Sequence, residues 1–361
     1  NNLKQEVFNS LHQTSDISVH LVTDWFRVRQ LDIESLAASR LVAPIITNLQ
    51  HAQQNNNTST KDFIKSPTAQ SITEPTRRLL LGYQERYDYM EDIFLLSVSG
   101  DILLTTNRGS EWGGNINEIE LSRTNFSKTA LKSMRDQISL FSDLELWSKS
   151  SNHYSGFFIT PVFNKSKNVI GAFAVRTDLT PLMAVFQDTH HNDQWRYIVG
   201  DDGKLRTTSI TSPNNNEPIV TPLYQKWLSN RLDDKRHDSP MIYLSHTGKK
   251  VIGVAKNIDT LGIHWALISE IESAQALSAV ARVSTLTVTM LLLTAFIATA
   301  LANYISGRII RPLTRLSKAV TDIAEGRKVS EVSVKNNDEI GQLSKAFNSM
   351  VASRKDYEKR L

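Results

Sequence analysis

The sequence predicts an α+β chain: a long N-terminal helix, two antiparallel-sheet modules in series, one transmembrane helix and an all-α C-terminal pair of helices. Three observations carry this. Apolar residues recur at spacings of three, four and seven across the first fifty positions, strand–turn–strand strings occur twice in the middle, and the 25 residues Val283–Gly307 carry no charge. A chain of 361 residues has room for two or three domains, and 40% hydrophobic residues can build cores that a disordered chain lacks. The absence of cysteine excludes a disulfide scaffold and any thiolate chemistry.

Residues 3 to about 50 read as one helix. Val7, Leu11, Ser18, Leu21, Trp25 and Val28 mark its seam, and Leu36, Leu41, Ile45 and Leu49 continue it. Such a seam suits packing along a partner helix or down the side of a domain. A polar loop at 51–60 and the segment 66–76 then lead into a short helix ending near Tyr89.

From Asp92 the period changes. IFLLSVSGDILLTTN is a strand, a Ser-Gly-Asp turn and a second strand. The loop EWGGN and a helix over 122–136 follow, then the strands GFFITPVFN and VIGAFAVRTD joined by KSK. The order repeats in shorter form: WRYIVGDDGKLRTTS, a helix in TPLYQKWLSNRL, and the strands MIYLSHTG, KKVIGVAKNI and GIHWALISEI. Each repeat builds its own antiparallel sheet.

The uncharged run covers about 37 Å as a helix, enough to cross a hydrocarbon core of about 30 Å. Arg308, Arg311, Arg315 and Lys318 follow it directly. By the positive-inside rule the C-terminal part is cytoplasmic and residues 1 to about 279 lie outside. The formal charge of +4 resolves into −1 over the first 307 residues and +5 over the remainder. That excess therefore reports orientation, and no nucleic-acid partner is expected. Because the sequence opens at Asn1-Asn2, a targeting or first transmembrane segment is expected ahead of it.

After Arg308 a helix carries the seam Ile309, Leu313, Leu316, Val320, Ile323 and ends at Gly326. A connector with Val329, Val332 and Val334 leads to a second helix, with Asp338 as N-cap and Ile340, Leu343, Phe347, Met350 as its seam. Neither helix can bury its seam alone, so a parallel dimer giving a four-helix bundle is expected.

These strings carry two resemblances. A long helix followed by two such modules, with LSRTNFSKTA, GFFITPVFNKSKNVIGAFAVRTDL, RYIVGDDGKLRTTS and LGIHWALISEIE in that order, resembles the double Cache (tandem PAS-like) sensor of bacterial receptors. Early Pro312, the Gly326 helix end, the connector valines and Asp338-Glu339-Ile340-Gly341 with Phe347-Asn348 resemble the HAMP signal-relay domain. The valine spacing after Gly326 departs by about one residue from the family's commonest pattern, leaving both Val332 and Val334 as the packing residue. The resemblances divide the chain into a helical lead-in (1–90), a membrane-distal Cache module (91–188), a membrane-proximal one (189–272), the span (283–307), HAMP (308–355) and the start of a coiled-coil extension (356–361).

No phosphate loop, HExxH or GxSxG occurs, so the chain is read as a non-enzyme without a cofactor. His190, His191 and Asp193 lack a third spaced ligand and read as a solvated loop, with no metal. The resemblance places a ligand pocket between the distal sheet and the helix–loop segment crossing it. Arg123 is the candidate for a ligand carboxylate, Trp147 and Tyr154 for aromatic walls, Asp178 for a ligand ammonium, and Trp112 for a further wall. The competing readings are a surface arginine, core packing, and a helix cap by Asp178. The arginine-x-tryptophan-tyrosine run of amino-acid-binding members is absent.

The resemblance therefore implies the periplasmic ligand-sensing portion of a bacterial inner-membrane receptor. It would relay binding of a small carboxylate or amine through the span and HAMP, as a homodimer, to an output C-terminal to residue 361. A diguanylate cyclase or histidine kinase is favoured there over a chemoreceptor or phosphatase module. The alternative is a docking platform for a periplasmic binding protein, without a small-molecule site.

Overall fold

The computed structural model describes residues 2–54, 59–147, 154–187, 194–207, 218–232, 240–333 and 338–358, and the chain divides into units Asn1–Leu277 and Ser278–Leu361. The N-terminal helix is two helices, α1 (Asn2–Ala37) and α2 (Val42–Gln54). Pro44 explains the break: it has no N–H for the Arg40 carbonyl, and its ring collides with that carbonyl in a continuous helix, while the first turn of a new helix tolerates it.

Sheet 1 contains β1 (Met90–Ser97), β2 (Ile102–Thr105), β3 (Leu140–Leu146), β4 (Tyr154–Phe163) and β5 (Val169–Thr177) in the antiparallel order β2-β1-β5-β4-β3. Gly100 takes φ +91° in the Ser-Gly-Asp turn between β1 and β2, a conformation that favours glycine. Sequence reading missed β3: LFSDLEL alternates over only part of its length and sits at the sheet edge. The α3 (Thr60–Ile64) and α4 (Pro67–Arg86) helices flank α2, and the short α5 (Ile119–Ser122) leads into α6 (Asn125–Asp136). Alternation sorts the strands cleanly. Ile93, Leu95, Phe158, Phe173 and Val175 join the α1/α2 core, while Phe94, Phe157, Ile159, Ala172 and Ala174 join Phe126, Ala130 and Met134 of α6.

After α7 (Thr180–Gln187), sheet 2 runs β6-β9-β8-β7, from β6 (Gln194–Gly200), β7 (Met241–Leu244), β8 (Lys250–Thr260) and β9 (Ile263–Glu272), with α8 (Pro222–Leu232) on one face. The other face receives α1. Leu11 packs on Ile252 and Val254, Ser15 Oγ donates to Ser269 Oγ at 2.8 Å, and Arg196 donates to Ser18 Oγ at 2.7 Å. Further along, Phe26, Ile33 and Ala37 enter the sheet 1 core.

Helix α1 is therefore a shared spine of about 54 Å. The buried stripe runs through Leu11, Ser15, Ser18, Val22, Phe26, Ile33 and Ala37. Leu21 and Val28, read as seam residues, are exposed at 40% and 44%. Small Ser15 and Ser18 hold the buried positions facing sheet 2, and beyond them the buried residues are Val22 and Phe26, each one position after the apolar Leu21 and Trp25 of the predicted seam.

In the second unit, α9 (Ser273–Ile305) continues through a π-helical turn, Ser306–Ile310, into α10 (Arg311–Ala324). Arg311 N–H reaches back to the Ser306 carbonyl, five residues earlier. The widened turn relieves the Pro312 ring, which cannot donate and would crowd the Arg308 carbonyl. Helix α11 (Glu339–Glu358) starts with Asp338 Oδ1 accepting the Gly341 N–H at 3.0 Å. Leu316, Ala319 and Phe347 are buried with Ile323, Val329, Val332 and Val351 around them. The Asn348 side-chain amide accepts Val332 N–H at 2.9 Å and donates to its carbonyl at 2.8 Å, so Val332 is pinned into this core. Val334 lies outside the described residues, as do His190, His191 and Asp193.

Candidate functional site

The five residues singled out in the sequence do not converge. Arg123 is exposed, one residue beyond α5, and is no buried cation. The positive end of α6 is occupied instead by Glu145, whose two carboxylate oxygens accept Asn125 N–H at 2.7 Å and Phe126 N–H at 2.8 Å. Burial raises the Glu145 pKa above the usual carboxylate range, partly offset by those two donors. Asp178 Oδ1 accepts Thr180 N–H at 2.8 Å and so caps α7. Tyr154 and Trp112 pack against the α1/α2 core, on the opposite side of the sheet from α6, and Arg108 lies 4.9 Å from the Trp112 ring centre.

Trp147 lies on the α6 side of the sheet, packed against the core cluster there. Its ring meets Phe157, Phe126 and Phe94 edge-on at 4.6, 5.2 and 6.0 Å between centroids. The small Ala172 and Ala174 of central β5 leave room for these rings on the α6 side. The aromatic wall ends in charge. Phe157, Arg176 and Asp92 are lateral partners across β4, β5 and β1, so all three project from the α6 face. Arg176 Nε lies 3.0 Å from Glu91 Oε2, as an ion pair without the alignment of a directed hydrogen bond. Ser155 Oγ donates to the same Glu91 oxygen at 3.2 Å. No hydrogen bond links the two Arg176 Nη groups to the described residues, and the side chain is 23% exposed.

Asp92 is buried, and its Oδ1 accepts Thr106 Oγ1–H at 2.7 Å and the Asn107 N–H at 3.1 Å. Burial raises its pKa, against the pull of these donors and the Arg176 charge. A half-buried guanidinium with two open donors beside aromatic rings can receive a carboxylate, and Glu91 with Asp92 can receive an ammonium. The sequence carried a signal for this: in VIGAFAVRTD, Arg176 falls at the same alternation as Ala172 and Ala174, on the α6-facing side.

The matching face of sheet 2 is closed by Leu223, Tyr224 and Trp227 of α8. Buried Glu270 there accepts Tyr197 Oη–H at 2.6 Å and Tyr243 Oη–H at 2.5 Å. Burial and the adjacent Glu270 charge push both tyrosine hydroxyls above their ordinary range, so they remain neutral donors. No cluster of His, Asp and Glu able to hold a metal occurs among the described residues.

Residues 304–353 match the HAMP domain family. A stretch of 54 residues is 48% identical to the sensor protein SrrB of Staphylococcus aureus, covering 15% of this chain and only 9% of that protein. The sensor domain of the V. cholerae histidine kinase DctB superposes with a TM-score of 0.51 at 12% identity, over 74% of this chain and 98% of that one. The ligand-binding domain of the Pseudomonas aeruginosa PAO1 chemoreceptor PctB, in complex with L-Arg, gives 0.45 at 13% identity over 75% and 97%. One helix, Thr285–Ala324, is long and apolar enough to cross a membrane. The chain thus joins a Cache-like sensor fold, a candidate membrane span and a HAMP domain in that order.

Proposed function

We propose that this chain senses a small carboxylate-bearing molecule, zwitterions included, in its first module, as a homodimer in a bacterial inner membrane with residues 1 to about 279 periplasmic. The carrying observation is Arg176, which projects from the same sheet face as Phe157 and Asp92, is ion-paired with Glu91, and has Nη groups without a hydrogen bond to the described residues. Arg176 replaces Arg123 as the carboxylate receptor, and Trp147 remains a wall. Two apolar stripes support the dimer. Ile17, Leu21, Val28 and Leu31 lie exposed along α1 at heptad-compatible spacing, and Leu313, Val320, Leu343 and Met350 are exposed in the HAMP helices. The relay passes to a cytoplasmic output of the diguanylate cyclase, histidine kinase, chemoreceptor or phosphatase kind.

One observation favours the docking-platform reading: Phe94, Phe126, Trp147 and Phe157 already fill much of the space between sheet 1 and α6. A thermal-shift screen of residues 1–277 against amino acids, short organic acids and amines separates the two. Direct sensing predicts a carboxylate that raises the melting temperature by about 5 °C at a hundredfold excess over its Kd. Arg176→Gln should abolish that shift, while Arg123→Gln leaves it intact. A screen with no stabiliser, or a shift that survives Arg176→Gln, removes this site.

A further inference from the structure

We propose that Arg311 and Arg315 form a binding site for the phosphate of an anionic phospholipid headgroup, at the point where the membrane helix enters the HAMP domain. A cavity of about 230 Å³ lies between the π turn, the first turns of α10 and the start of α11, lined by Gly307, Arg311, Pro312, Arg315, Ser333 and Gly341 among others. Arg311 and Arg315 are four residues apart and so share one helical face. Neither forms an ion pair or a hydrogen bond with the described residues. At the start of α11, Asp338 Oδ1 accepts the Gly341 N–H, and no ion pair joins Asp338 or Glu339 to either arginine.

Position selects the ligand. The uncharged run ends at Gly307, so Arg311 and Arg315 stand about 6 and 12 Å further along the helix. The headgroup layer on each side of the hydrocarbon core is about 5–8 Å deep. Helical side chains tilt toward the N-terminus, which here points back to the bilayer, and long arginine stems extend that reach. Both guanidinium groups therefore meet the headgroup phosphates, present at a local concentration that no soluble anion matches. Guanidinium also matches phosphate oxygens in a two-pronged geometry. Because the cavity joins α10 to α11, an occupied site ties HAMP packing to the lipid composition of the adjoining leaflet. The site rests on α9 crossing the bilayer.

The test uses the whole chain in nanodiscs of equimolar phosphatidylcholine and phosphatidylglycerol, with retained lipids read by native mass spectrometry. Phosphatidylglycerol should be retained preferentially. Each arginine contributes about fivefold to that preference, so Arg311→Gln with Arg315→Gln lowers it by about 25-fold. Lys328→Gln with Lys345→Gln, away from the cavity, should leave it within about twofold. Undiminished preference in the double arginine variant overturns the site. So does inorganic phosphate binding in phosphatidylcholine-only nanodiscs with the same arginine dependence, since the ligand is then a soluble anion. A chain that fails to float with vesicles refutes the membrane reading itself, which is a separate result.

Discussion

Phe26→Ala should lower the stability of residues 1–277 by about 3–5 kcal/mol, the range for deleting a fully buried aromatic ring. Phe26 is wholly buried and stands where α1 passes from one sheet to the other. Its ring meets Phe141 and Phe158 of sheet 1 at 4.9 and 5.6 Å, and Trp265 of sheet 2 at 5.7 Å. The cavity therefore opens into both modules at once. Scanning calorimetry should show the melting temperature of the whole unit falling by roughly 6–12 °C. A variant in which only one module melts early, or a loss below about 1 kcal/mol, would show that α1 does not couple the sheets.

Asp143→Ala should cost about 3 kcal/mol for a different reason. Arg206, in the turn after β6, has a side chain only 4% exposed and makes its closest ion pair with Asp143 of β3, across the junction between modules. Its Nε donates to Asp143 Oδ1 at 2.8 Å, and Trp265 Nε1 donates to the same oxygen at 3.0 Å. Burial opposes the Arg206 charge, but Asp143 and Asp202 more than offset it and hold the guanidinium protonated. Removing one partner of a buried pair strands the other, at about 3–5 kcal/mol. The lower end applies because Asp202 stays 3.0 Å away and Asp143 is 29% exposed. Adding Arg206→Met to Asp143→Ala should restore part of the loss, since no charge is then left buried. Strict additivity of the two substitutions would mean that the pair does not interact.

Neither junction was legible in the sequence, because both join residues far apart along the chain. Asp143 and Arg206 are ordinary polar letters in isolation, and β3 itself was passed over. Local pattern revealed more. The Ser-Gly-Asp turn, the alternation in β4 and β5, the uncharged run and the Pro312 to Phe347-Asn348 string each carry their own structural cause. On α1 the predicted seam shares Leu11 and Ser18 with the buried stripe but slips by one residue at Leu21 and Trp25, because apolar residues stand side by side there and Val22 and Phe26 are the buried ones; Pro44 gave the overlooked signal for the break. At the proposed site, aromatic character pointed to Trp147, whereas Arg176 requires placing VIGAFAVRTD on the α6 face. Arg123 drew attention as the start of a helix whose positive end Glu145 already occupies.

In the proposed mechanism, ligand binding at Arg176 changes HAMP packing through the membrane helix. Since the chain has no native cysteine, a single Leu313→Cys substitution reports on that packing alone. In membranes the variant should form symmetric crosslinked dimers, because Leu313 is exposed within one chain and would face its copy in the proposed bundle. A molecule that stabilises residues 1–277 should change the crosslinking rate several-fold, by its differential affinity for the two states. Arg176→Gln should remove that change and leave basal crosslinking intact. A ligand that binds the outer unit without altering the rate, or a variant that never crosslinks, contradicts the account.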